Sequence, residues 1–207
     1  MKNISVLDLG LGNVASVVRM VQKVGGNPSV ISSENGIASA EKLIIPGVGS
    51  FDSAMKRLNN KQIKETLVNR ISVDKIPVLG ICLGMQILCR KSEEGVETGL
   101  CLIDADVIKF KNDLQFSIKI PHMGWNSIVA PKENQILSKG QNLERFYFVH
   151  SYFVRPDNND VVIGYCEYGH KFCAAFQKDN IFGVQFHPEK SHKFGMQLLS
   201  KFVRLEI

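Results

Sequence analysis

The segment Pro77-Val78-Leu79-Gly80-Ile81 carries no polar side chain, and it runs directly into Cys82-Leu83-Gly84. A strand apolar on both sides belongs in a parallel sheet covered on both faces, because any side facing water would carry polar residues. The chain on either side is consistent with that reading. Residues 4–8 form a strand-like run and residues 10–13 a glycine turn. Val14, Val17, Val18 and Val21 recur at helical spacing within 14–24, and Gly25-Gly26 followed by Pro28 ends the helix. Residues 29–31 and 42–45 read as the next strands. Helices are expected around 52–58 and 63–71, with a further one at 85–90 after the cysteine. Strand–helix alternation predicts an open α/β sheet with helices on both faces.

The second half changes character. Residues 107–110, 127–130, 146–149, 161–167, 172–177 and 181–185 are strand-like, which predicts antiparallel or mixed additions to the same sheet. A final helix over 194–205 carries Phe194, Leu198, Phe202 and Leu205 on one stripe. The expected fold is therefore α/β, an open, mixed, mainly parallel sheet. No linker or repeat divides the 207 residues, so 1–207 reads as one domain.

Composition narrows the class of function. Apolar residues make up 44% and charged residues 22%, ordinary for a globular chain and unlike a disordered one. No apolar run approaches the roughly 20 residues of a membrane helix. The N-terminus is strand-like and lacks a cleavage signature. The expectation is a cytoplasmic protein with no membrane partner. Lys+Arg 25 against Asp+Glu 20 leaves +5, but the basic residues are scattered, so no nucleic-acid surface is expected. The cysteines at 82, 89, 101, 166 and 173 are odd in number and none forms Cys-x-x-Cys. That suggests neither a disulfide framework nor a zinc knuckle, and no metal is expected.

Gly10-Leu11-Gly12-Asn13-Val14-Ala15 follows the first strand and fits a dinucleotide fingerprint, with Glu34 about 20 residues on. Asp8 stands immediately before it, where a carboxylate would face a pyrophosphate. A plain tight turn is the better reading, and no cofactor is expected.

Gly80-Ile81-Cys82-Leu83-Gly84 is the segment that carries chemistry. Strand, glycine, nucleophile, glycine, helix is the form of a nucleophile elbow, with Cys where Ser is commoner. The sharp turn pushes the nucleophile into a cleft, and side chains two residues before and after would collide there. The helix N-terminus beneath the sulfur favours thiolate. Such a thiol needs a base, and the base an orienting group. Among the five histidines, His187 stands in Gly183-Val184-Gln185-Phe186-His187-Pro188-Glu189. Glu189 is two residues on, so both side chains project from one strand end. The carboxylate would hold one ring nitrogen and leave the other for Cys82. Gly47 and Gly49, in Pro46-Gly47-Val48-Gly49-Ser50-Phe51, let backbone N–H groups approach a developing oxyanion closely.

Together these segments resemble the class I (triad) glutamine amidotransferase family. Gly80 to Gln86 matches its nucleophile segment, and Phe186-His187-Pro188-Glu189 its histidine–glutamate segment. Pro121-His122-Met123-Gly124-Trp125-Asn126 and Phe146-Tyr147-Phe148-Val149-His150-Ser151-Tyr152 are closer still to the glutaminase subunits of imidazole glycerol phosphate synthases. That resemblance runs in register from residue 4 to about 202. It implies the flavodoxin-like amidotransferase fold, with Cys82 as nucleophile, His187 as proton shuttle and Glu189 as its orienter. It implies that the Gly49 loop and the N–H of Leu83 serve the oxyanion, and that Gln86, His150, Ser151 and Tyr152 line the pocket for L-glutamine. It implies a (β/α)8 cyclase partner of HisF type in a heterodimer, with Asn13, Trp125 and Lys190 toward it. Ammonia would pass through a tunnel to that partner, which makes imidazole glycerol phosphate and AICAR from PRFAR in histidine biosynthesis. The resting activity would be low until the partner signals. One position departs from the pattern: Leu9 stands where the family usually has an aromatic. It leaves open a second pathway, supply of ammonia to a surface-polysaccharide sugar. An independent cysteine hydrolase would need no partner, and a silent binding subunit would not need an intact Cys82, His187 and Glu189.

Overall fold

The computed structural model describes residues 3–59, 61–112, 117–139 and 144–206. Strands β1 (Asn3–Leu7), β2 (Asn27–Ile31), β3 (Leu43–Gly47) and β4 (Val78–Cys82) alternate with helices α1 (Val14–Lys23), α2 (Glu34–Ala38), α3 (Phe51–Leu58) and α4 (Lys61–Ser72). Helix α5 (Leu83–Ile87) follows β4 directly. The remaining strands are β5 (Lys91–Ser92), β6 (Ala105–Lys109), β7 (His122–Val129), β8 (Glu144–His150), β9 (Tyr152–Pro156), β10 (Val162–Tyr168), β11 (His170–Lys178) and β12 (Ile181–Val184), with α6 (His192–Arg204) last.

The main path of the sheet runs β2-β1-β3-β4-β12-β11-β10-β7-β8. From β2 to β12 neighbours are parallel, and beyond β12 they are antiparallel. The expected mixed sheet is present, parallel through β2-β1-β3-β4-β12 and antiparallel in the part built from the second half of the chain. Side chains on the parallel strands alternate between two cores, as the two-residue period of a strand requires. Ile4, Val6, Ile44, Leu79, Ile81, Phe182 and Val184 face α1 and α6. Leu7, Leu43, Ile45, Val78 and Ile181 face the side covered by α2, α3, α4 and α5.

Several boundaries differ from the sequence reading. The helix expected at 85–90 occupies Leu83–Ile87 instead, because it starts at the elbow itself with Cys82 as its N-cap residue. Strand β7 extends back from the expected 127–130 to His122, through Gly124 at φ +128°. Helix α2 was not anticipated. Ser33 caps it by accepting from the N–H of Gly36. Strand β9 is a further addition, running antiparallel to β6.

The glycine turn after β1 is a turn. The N–H of Gly10 donates to Asp8 Oδ1 at 2.7 Å, and Asn13 caps α1 through the N–H of Ser16. A Cβ on Gly12 would lie 3.4 Å from Cα of Gly47, so this turn backs onto the end of β3. Glu34 sits in the first turn of α2, where its carboxylate accepts from Thr66 Oγ1.

Candidate active site

Three adjacent parallel strands, β3, β4 and β12, end side by side. The register places Gly47 against Cys82, and Gly183 against Gly80. Their carboxyl ends therefore bring the Gly47–Gly49 loop, the elbow and the 185–189 segment to one edge, where open α/β sheets place their ligands. Cys82 holds φ +54° and ψ −108°. That left-handed backbone is costly for a side-chain-bearing residue and is characteristic of a nucleophile elbow. The flanking glycines are sterically required. A Cβ on Gly80 would come within 2.5 Å of the Gly84 carbonyl oxygen, and a Cβ on Gly84 would overlap the carbonyl of Ile45. Gly47 is pinned likewise, its Cβ position 3.0 Å from Cβ of Leu83.

His187 is 1% exposed and Nδ1 lies 2.7 Å from Glu189 Oε1. A carboxylate can only accept, so Nδ1 donates to it and Nε2 is the nitrogen turned away from Glu189. Nε2 is buried and outside hydrogen-bonding geometry with any described group. Burial pulls the ring's pKa down, but Cys82 and Glu189 together outweigh it and hold His187 up to about 10. The ring is thus cationic at neutral pH, and Cys82 is among the groups that keep it so. The backbone here is fixed from both sides: the N–H of His187 donates to the Tyr147 carbonyl at 2.9 Å, and Ser191 Oγ donates to the His187 carbonyl at 2.6 Å.

A cavity of about 320 Å³ opens over the sulfur. Gly49, Leu83, Gln86, His150, Ser151 and Tyr152 line it with Cys82. Gly47 does not line it; it packs beneath Leu83. The volume sits at the small end of ligand pockets, about 300–1,000 Å³, and suits one amino acid. Glu94 lines it too. Its Oε2 accepts from the N–H of Phe51 at 2.7 Å. Sequence reasoning missed it, because it lies in a turn that matches no motif. A larger cleft of about 720 Å³ between α1 and α6 is lined by Lys23, Lys201 and Arg204 and by no Cys, His, Asp or Glu. Among the described residues, no three of His, Cys, Asp and Glu stand together as metal ligands.

Behind the cavity His122 Nδ1 lies 3.0 Å from His150 Nε2, and His150 Nδ1 lies 2.8 Å from the Tyr152 carbonyl. The carbonyl can only accept, so His150 is protonated on Nδ1 and bare on Nε2. His122 must then donate from Nδ1 and accept on Nε2, where Asn126 Nδ2 lies at 3.3 Å. Both rings are neutral. Burial lowers His122 to about 4; it lowers His150 to about 3 against the Tyr152 carbonyl, which favours the cation.

The residues expected toward a partner lie outside the cavity. Asn13 and Lys190 are exposed, and Trp125 is 40% exposed on β7. The indole stacks on His192 with ring centroids 5.5 Å apart, and Lys190 Nζ lies 5.6 Å above the Tyr147 ring. Met123 and Val129, which alternate with Trp125 along β7, are also exposed.

The chain belongs to the class-I glutamine amidotransferase family, whose model matches residues 5–205, and it is an enzyme of that class. It is 48% identical, over 98% of its length and 99% of the relative's, to the imidazole glycerol phosphate synthase subunit HisH 2 of Pseudomonas aeruginosa. It is 41% identical, over 98% of its length and all of the relative's, to the subunit HisH of Leptospira interrogans. Among solved structures, PurLQS from Thermotoga maritima shares the fold at a TM-score of 0.73, with 16% identity over 98% of each chain.

Proposed function

We propose that this chain is the glutaminase subunit of an imidazole glycerol phosphate synthase and acts through Cys82, His187 and Glu189. The carrying observation is that the ends of adjacent strands β4 and β12 bring the His187–Glu189 pair to Cys82, which opens on a cavity for a single amino acid, in a chain alike to HisH subunits end to end. The Cys82 thiolate attacks the side-chain carbonyl carbon of L-glutamine. The oxygen gathers negative charge and is met by the N–H of Leu83 and backbone N–H groups of the Gly47–Gly49 loop. His187 gives its Nε2 proton to the departing nitrogen, so ammonia leaves and a γ-glutamyl thioester remains. The ring, now neutral, takes a proton from water. The resulting hydroxide attacks the thioester, and glutamate departs as the thiolate is restored. Glu189 holds the ring throughout. Glu94 places a carboxylate in the pocket where the α-ammonium of glutamine can pair with it.

Ammonia in water at neutral pH is mostly the unreactive ammonium ion. A partner must therefore collect it directly, and we assign that role to a HisF-type (β/α)8 cyclase in a heterodimer. The exposed β7 residues Met123 and Trp125, with Asn13 and Lys190, form the docking face. The place of action is the cytoplasm, and the pathway is histidine biosynthesis. Leu9 does not argue for the polysaccharide pathway. It is 9% exposed and packs in the core with Leu7, Phe51 and Met55, so the change from an aromatic is a matter of packing rather than of partner contact.

The test is a paired ammonia-source assay on the complex with its cyclase. The Cys82→Ala complex forms product from ammonium salts and none from glutamine. Product from glutamine in that variant overturns the assignment.

A further inference from the structure

Gln185 is fully buried, two residues before His187 in the bend that follows β12, and it takes no part in the scheme above. Its Nε2 lies 3.7 Å from Cys82 Sγ. Its Oε1 lies 3.1 Å from Gln86 Nε2, which also lies 3.1 Å from the Tyr152 carbonyl. These contacts fix which way each amide points. The Tyr152 carbonyl can only accept, so the Gln86 NH₂ group faces it. That same NH₂ group donates its second hydrogen to Gln185, so Gln185 presents oxygen to Gln86 and its own NH₂ to the sulfur. A flipped Gln185 would oppose two NH₂ groups and leave a buried oxygen against sulfur, which burial makes costly.

We propose that Gln185 is a further catalytic residue, whose side-chain amide donates a hydrogen bond to the Cys82 thiolate and aims it at the substrate. The proposal rests on the reading of Cys82 as nucleophile. A donor to an ionised acceptor is worth about twice a neutral one, so the bond favours thiolate over thiol. Gln86 and the Tyr152 carbonyl act behind it as positioning groups, since they hold the amide in the one orientation that offers hydrogen rather than oxygen. The backbone N–H of Gln185 is bound separately, to the Ala174 carbonyl at 2.9 Å, so changing the side chain leaves the strand connection in place.

The test is the pH dependence of Cys82 alkylation by iodoacetamide in the full chain, with the modified peptide identified by mass. A Cys101→Ser background removes the exposed thiol that would compete with Cys82. Gln185→Met keeps the volume without the donor, and Gln185→Glu puts a carboxylate on the sulfur. Both should move the midpoint of alkylation upward, by about one pH unit for Met and more for Glu, from the strength of hydrogen bonds to charged groups. Turnover should fall about tenfold or more with a smaller change in KM. Should either variant fail to fold, Gln86→Leu leaves Gln185 in place but unanchored, and a smaller upward shift is expected. Alkylation profiles that overlay the parent in folded variants overturn the proposal, even if turnover is lost. A Cys82→Ala control that still hydrolyses glutamine overturns the underlying nucleophile assignment instead.

Discussion

His122 donates from Nδ1 to Nε2 of His150 across 3.0 Å, and both rings are kept neutral by burial. Free histidine titrates near pH 6.5, so on acidification the unfolded chain takes up protons that these two rings refuse until about pH 4 and 3. Stability is therefore full above pH 6.5 and is lost as pH falls through the range below it. Urea midpoints measured at pH 7 and pH 4.5 should show that loss, and His122→Gln should shrink it. An unchanged acid loss in that variant would contradict the lowered titration of His122.

The sign reverses at His187. Its folded pKa is raised to about 10, so the folded chain holds a proton that the unfolded chain gives up near pH 6.5. The stabilisation is complete below pH 6.5 and disappears as pH rises toward 10. Cys82 is one of the two groups that raise the ring. Cys82→Ala should accordingly flatten the alkaline decline in thermal melting, and an equal decline in both proteins would contradict the coupling.

Lys42 ties β3 to the end of the last helix. Its Nζ donates to the carbonyls of Phe202, Val203 and Leu205 at 3.0, 2.9 and 2.7 Å. These belong to the last turn and the C-cap residue of α6, at the negative end of the helix dipole, and the Phe202 carbonyl also accepts from the N–H of Leu205 at 3.2 Å. Lys42→Met should cost about 3 kcal/mol through unpaired buried carbonyls. For a chain this size that is on the order of 10 °C in Tm. A loss under 2 °C would show that the carbonyls find water instead.

Gly84→Ala sets a Cβ onto the Ile45 carbonyl, which belongs to the neighbouring strand and cannot swing aside. The elbow must open, so the expected result is loss of glutaminase together with destabilisation of at least about 3 kcal/mol, the cost of a serious core or backbone clash. A folded, active Gly84→Ala protein would contradict the strained elbow.

The parallel half of the fold was legible because its strands are short apolar runs closed by Gly and Pro, and α1 and α6 carry clear apolar stripes. The elbow glycines were legible for the same steric reason that the structure displays. What escaped were elements with no periodic signal. Helix α2 is five residues with Gly36 inside it, and it exists through the Ser33 cap and the burial of Ile37. Strand β9 follows β8 after the single residue Ser151, so the two read as one aromatic run. Gln185 and Glu94 were passed over as site residues because their roles depend on which groups the folded chain sets beside them. The place of Gln185 at the end of a strand-like run, two residues before His187, was the one available signal.

The most direct test of the central account is glutamate release from glutamine by the purified chain, measured alone, with a HisF-type cyclase, and with cyclase plus its nucleotide substrate. The account predicts slow release alone, a large rise when partner and ligand are both present, and none in any arm for Cys82→Ala. Full activity from the chain alone, unmoved by the partner, would contradict it and mark an independent hydrolase.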